Sequence, residues 1–108
     1  MENETKIEYR FGLDGSHRWY LDGLYHNDEG PSIIYAGGTK CWHKNGYRHR
    51  LDGPAVEHYD GWYEWWVNGC LISFEIKDWA DDLGIDLYNL TDVDIALIKI
   101  VWADYEYD

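Results

Sequence analysis

The tightest constraint on this chain is a spacing. Trp19-Tyr-Leu-Asp-Gly23, Trp42-His-Lys-Asn-Gly46 and Trp65-Trp-Val-Asn-Gly69 each begin 23 residues after the one before. The same interval relates Gly15, Gly38 and Gly61, sets Asp28-Glu-Gly-Pro-Ser32 over Leu51-Asp-Gly-Pro-Ala55, and sets His26 over His49. A fixed period on turn residues predicts stacked supersecondary units. Asn-Gly and Asp-Gly favour two-residue hairpin turns, which need positive φ at both central positions.

The fold class expected is α+β: an antiparallel β-meander of 23-residue hairpin repeats, with C-terminal helices packed on the sheet. The expected strands are residues 7–11, 16–21, 32–35, 40–44, 55–59 and 62–67, with Pro31 and Pro54 beside strand starts, where a missing N–H matters little. Side chains alternate along a strand, so Trp19, Trp42 and Trp65 are expected to share one face and Tyr20, His43 and Trp66 the other.

From Ser73 onward the period changes. Ile76, Trp79, Ala80 and Leu83 recur at helical spacing, with Ser73 in reach of an N-cap and Gly84 as the stop. A second helix is expected from Thr91, where Thr-Asp-Val-Asp forms a capping box, to about Asp104. Its apolar residues spread too widely for one stripe, so it is expected to be the most buried helix, laid on the aromatic sheet. Residues 104–108 read as a frayed acidic tail. At 108 residues the chain is one domain, with hairpins over 1–72 and an acidic helical cap over 73–108.

Composition narrows the partners. The net charge of −12 is concentrated late: residues 1–72 carry 11 acidic and 7 basic side chains, residues 73–108 carry 10 and 2. Such a chain is repelled by nucleic-acid backbones and anionic membrane surfaces, which leaves basic protein surfaces as the natural partner. Cys41 and Cys70 lack the spacing of a metal knuckle or redox pair. The first residues lack a basic, apolar leader and no apolar run is long enough to span a bilayer, so a cytoplasmic location is expected.

The stretch from Trp42 to Gly69, with Trp-His-Lys-Asn-Gly, His-Arg-Leu-Asp-Gly-Pro-Ala and Trp-Val-Asn-Gly in order, resembles the W-x-x-N-G and H-R-x-D-G-P-A repeats of small bacterial and phage proteins, looser relatives of the MORN-variant repeats of YwqK-type antitoxins. The resemblance covers roughly residues 14–72 and implies an extended β-meander that scaffolds protein contacts. It implies no site residue, because the first unit has Asn27-Asp28 where the second has Arg50-Leu51.

Candidate chemistry is sparse. Cys41 and His43, two apart on an expected strand, make half of a zinc site with no second half in any recognisable spacing. His26 and His49 are expected to bond the backbone of the Gly-Pro turns that follow them. No nucleophile motif, phosphate loop or paired-carboxylate arrangement stands out, so no enzyme, cofactor or metal is expected.

Two surfaces point to binding. Glu75, Asp78 and Asp82 follow helical spacing opposite the apolar stripe and, with Asp86, make an anionic ridge that either stays solvated or docks on a basic surface. Tyr20, Trp62 and Trp66 are aromatic anchors if their face is uncovered, with Arg18, Arg48 and Arg50 as rim. The function expected is a non-enzymatic protein-binding module, as in a phage-type or bacterial inhibitor of a host defence or toxin protein. The alternative is an assembly protein that homo-oligomerises without an inhibitory role.

Overall fold

A computed structural model describes residues 6–106; residues 1–5, where no leader is expected, and the last two residues of the expected acidic tail lie outside the described residues. Along the chain run β1 (Glu8–Phe11), β2 (His17–Leu21), β3 (Leu24–Tyr25), β4 (Ile33–Ile34), β5 (Lys40–Cys41), β6 (His43–Lys44), β7 (Tyr47–Arg48), β8 (Val56–Glu57), β9 (Tyr63–Glu64), β10 (Trp66–Val67), β11 (Cys70–Leu71), α1 (Ser73–Leu83) and α2 (Asp92–Trp102).

The turn chemistry acts as its residues dictate. Asp22, Asn45 and Asn68 sit at φ 52°, 51° and 51°, each followed by a glycine at φ 81°, 86° or 79°. Left-handed backbone at both central positions is the twist that closes a tight hairpin, and only Asn, Asp and Gly enter it cheaply. The loops pair Leu21 with Leu24, Lys44 with Tyr47 and Val67 with Cys70.

The long strands expected over 40–44 and 62–67 are each broken in two. One seven-stranded antiparallel sheet runs in the order β1-β2-β4-β5-β8-β9, with β3 beside β2, while β6-β7 and β10-β11 form separate two-stranded ribbons. The break falls at the tryptophans. Trp42 donates its N–H to the Ala55 carbonyl at 2.8 Å and accepts from the His49 N–H at 3.1 Å, so the chain changes partner there and turns from sheet to ribbon.

Histidines tie one hairpin to the next. His26 is buried, and its Nδ1 accepts the Asn45 N–H at 2.9 Å, while Nδ1 of His49 accepts the Asn68 N–H at 2.9 Å. The partner is therefore the tight turn of the following hairpin rather than the backbone of the adjacent Gly-Pro segment. Beside each bond a backbone pair runs the same way, Gly46 N–H to the Tyr25 carbonyl and Gly69 N–H to the Arg48 carbonyl, both at 2.9 Å. An acceptor at Nδ1 places the proton on Nε2, which in His26 meets the Asp28 carboxylate at 2.8 Å.

The last hairpin has no successor, and the sequence changes to suit. Ile72 donates its N–H to the Trp65 carbonyl at 2.8 Å, the bond that His26 makes to Trp19 and His49 to Trp42 at 3.1 Å. Its apolar side chain is fully buried among the helices. Ser73 is not an N-cap; Ile72 holds that position, and the Ser73 hydroxyl accepts the Trp65 N–H at 3.0 Å.

Two cores result. Ile33, Cys41 and Val56 form a small one inside the sheet, with Tyr25 and Trp66 against it. Trp65, Val67, Cys70, Ile72, Ile76, Ile98 and Trp102 form the larger one. The helices thus pack on the end ribbon β10-β11, not across the aromatic sheet. Gly84 ends α1 at φ 73°, and Thr91 caps α2: its hydroxyl accepts the Asp94 N–H at 3.1 Å and its N–H is bonded by the Asp94 carboxylate at 3.0 Å.

Two helical expectations fail on burial. Leu83 is exposed, and α2 is no more buried than α1, with two buried residues in each: in α2 these are Ile98 and Trp102, while Val93, Leu97, Ile100 and Val101 face outward. A count of apolar residues cannot tell a helix buried all round from one with two apolar faces and a single covering neighbour. The start of the acidic tail is anchored, since Asn68 donates to the carbonyls of Ala103 at 2.9 Å and Tyr105 at 3.1 Å.

Replacing His49 by Leu removes the acceptor of the Asn68 N–H, and urea denaturation is expected to register a loss of about 0.5–1.5 kcal/mol. The exposed Leu13→Ser serves as a control, expected within about 0.5 kcal/mol of the parent. Burial lowers His43 to about 4 and also lowers His49 below its ordinary 6.5, with Arg48 and Lys44 adding repulsion. In the unfolded chain both rings protonate near 6.5, so stability held above that pH is lost as pH falls from 6.5 towards 4. A melting temperature flat across that window would contradict the burial of these rings.

Candidate functional site

The sheet stops at β9, which has a strand neighbour, β8, on one side only. Facing its open side across a gap stands α1. Between them lies a groove of about 780 Å³, lined on the sheet side by Trp62, Tyr63, Glu64 and Trp65, on the helix side by Ser73, Phe74, Lys77 and Asp81, and beyond by Leu71 and residues 85–88. Backbone edge and apolar wall therefore face each other in one concavity.

Each wall follows from local sequence. Phe74, Lys77 and Asp81 fall on one face of α1 by their spacing, away from Ile76 and Ala80, which are buried. Tyr88 lies between the helices and stacks on Tyr63 at 5.3 Å between ring centres, which floors the groove. Trp62, Phe74 and Tyr88 remain 69%, 82% and 74% exposed. Large rings left in water on a concave surface are what binding surfaces use as anchors.

The charge lining the groove is negative. Lys77 is bound to Asp81 at 2.8 Å, and that bond raises its ammonium above the ordinary lysine value. Among the described residues Asp86 accepts from neutral donors, the Tyr88 N–H at 2.9 Å and the Asn89 amide at 3.4 Å, so its charge is uncompensated by them. Glu64 holds His58 at 2.7 Å and the Trp66 indole N–H at 2.8 Å. Burial pushes its carboxyl up, but these hydrogen bonds outweigh burial and keep it below the usual range.

The expected site residues divide. Trp62 and Asp86 share the groove. Glu75, Asp78 and Asp82 are exposed on a different face of α1, and Glu75 lies 3.5 Å from the Tyr105 hydroxyl. Tyr20 and Trp66 are not uncovered anchors. Tyr20 is half-buried, stacked on Tyr25 at 5.0 Å with Arg10 above it at 5.4 Å. Trp66 packs on the small core under Arg48, 4.9 Å from its ring centre.

Two of the three arginines expected as a rim are built into the structure. Arg50 lies 3.8 Å over Trp42 and bonds Asp52, the Pro54 carbonyl and Glu57. A Cβ on Gly53 would come within 2.6 Å of that guanidinium, so glycine is needed for its approach. Arg18 bonds Ser16 and Tyr25 and pairs with Asp14.

Sequence reasoning missed Phe74, Tyr63 and Tyr88. Phe74 was legible as the one aromatic of α1 outside its buried stripe, whereas Tyr63 and Tyr88 meet only through tertiary folding. Cys41 and His43 are parted: the thiol is in the small core, where burial pushes its pKa up, and the imidazole bonds the Ser32 hydroxyl at 2.6 Å. Among the described residues no group of three or more His, Cys, Asp or Glu is placed to hold a metal ion, and no helix is long and apolar enough to cross a membrane.

No protein-family model, curated protein or solved structure matches this chain significantly.

The groove rings contribute little to folding. Trp62→Ser with Phe74→Ser is expected to change unfolding free energy by about 0.5 kcal/mol or less, whereas Trp65→Ala in the core is expected to cost about 3–5 kcal/mol. Urea titrations of the two variants check this, and a large loss from the groove pair would mean that these rings pack.

Proposed function

We propose that this chain is a non-enzymatic protein-binding module, a short array of 23-residue hairpin repeats whose open end receives an extended, basic segment of a partner protein. The carrying observation is the unpaired β9 edge facing an aromatic groove.

The repeat reading says what is missing there. Residues 17 and 18 pair with 34 and 33, and residues 40 and 41 pair with 57 and 56. Continued by 23, residues 63 and 64 would pair with 80 and 79, but those lie in α1. The groove stands where the next strand of the array would stand. An added strand would gain main-chain hydrogen bonds from β9, and its alternate side chains would meet Trp62, Phe74 and Tyr88. Groove carboxylates and the ridge of Asp78 and Asp82 favour Lys or Arg at the remaining positions. The same contact makes the chain an inhibitor of any basic surface it covers, the role expected for a bacterial or phage anti-defence or antitoxin protein.

Selection from a displayed library of ten-residue peptides tests this. Enriched sequences are expected to alternate apolar residues with Lys or Arg and to shift the amide resonances of Tyr63 and Glu64. Their binding should weaken by at least about 2 kcal/mol in Trp62→Ser/Phe74→Ser and fall with added salt. Binders that ignore both the groove variant and ionic strength would sink the proposal.

A further inference from the structure

The second helix has one covered face and one bare one. Ile98 and Trp102 are buried, whereas Val93 and Ile100 are 69% and 79% exposed, with Ala96, Leu97 and Val101 exposed between and beside them. These five residues follow the i, i+3, i+4, i+7, i+8 pattern of a continuous stripe, about 12 Å long at 1.5 Å per residue. A stripe of this pattern is what one helix presents to another.

The charges beside it identify the occupant. Asp92 and Lys99 are seven residues apart, so both lie along the same flank of the stripe. Neither side chain makes a hydrogen bond or ion pair among the described residues. Asp94, by contrast, is committed to the helix cap. One flank therefore carries near its N-terminal end an anion, and near its C-terminal end a cation, that are unpaired among the described residues. That arrangement complements itself under a two-fold axis.

We propose that α2 is a self-association surface, on which a second copy of this chain lays its own α2 antiparallel. With the axis at Leu97, the two leucines cross and Val93 faces Val101 of the other copy. Lys99 then stands within about 4.5 Å, along the helix axis, of the level of the second copy's Asp92, less than one turn and within reach of a lysine side chain. Antiparallel helices also oppose their dipoles, which a parallel pair would align. The contact is isologous and closes at two copies, so it yields a dimer and no filament. It leaves the β9 groove open and is independent of the proposal made for that groove.

Sedimentation velocity and light scattering on the full chain, from about 1 µM to about 500 µM, test it. The mass is expected to rise from 12.8 kDa to twice that value. Leu97→Asp, which sets two carboxylates at the axis, is expected to weaken the dimer about a hundredfold or more, with circular dichroism unchanged because Leu97 is already exposed. Lys99→Asp and Asp92→Lys singly should each weaken it about three- to tenfold, and the double charge exchange should restore it to within about threefold of the parent. Trp62→Ser/Phe74→Ser should leave it unchanged. A monomer throughout the range would overturn the proposal, as would a dimer indifferent to Leu97→Asp. Failure of the double exchange to rescue would overturn the antiparallel arrangement.

Discussion

The structure depends on an imidazole nitrogen accepting the backbone N–H of the next hairpin's turn. A two-residue turn held at positive φ turns its central N–H groups away from its own strands, and these groups need acceptors if they are not left to water. His26 and His49 supply one each, to Asn45 and Asn68, at 2.9 Å. The bond demands a neutral ring with its proton on Nε2, and in His49 burial favours that state. Because each histidine sits in one hairpin and its donor in the next, the contact fixes the spacing between units that are too short to fold alone. Each such bond contributes about 1 kcal/mol net.

Charged groups supply much of what a deeper core would supply. With two small clusters inside, the half-buried aromatics are covered by guanidinium planes: Arg50 over Trp42 at 3.8 Å, Arg48 over Trp66 at 4.9 Å and Arg10 over Tyr20 at 5.4 Å. Their stems shield apolar area while their heads remain bonded or wet.

Turn chemistry was the most legible part of the fold, because Asp-Gly and Asn-Gly carry their conformation locally. Helix limits were legible for the same reason at Gly84 and Thr91. The break of the strands at Trp42 and Trp65 was not, since it arises from which distant carbonyl takes each tryptophan N–H. Burial of α2 was misjudged because its apolar breadth serves two faces. For the site, Trp62 and Asp86 were legible as residue types and Phe74 by its place off the stripe. That Tyr20 and Trp66 are half-buried was not legible, because the cations over them come from β1 and β7, across the hairpins. Ile72 donates to the Trp65 carbonyl as His26 and His49 donate to those of Trp19 and Trp42, and α1 follows it where a hairpin turn follows each histidine.

The tie between hairpins rests on the protons of two rings, and long-range proton–nitrogen correlation spectra of ¹⁵N-labelled protein near pH 7 read them directly. His26 and His49 are each expected to show an unprotonated Nδ1 and a protonated Nε2, with couplings across the hydrogen bonds to the amide protons of Asn45 and Asn68. Rings protonated on Nδ1, or exchanging freely between tautomers as an exposed histidine does, would contradict it and leave the hairpins without the tie on which this structure is explained.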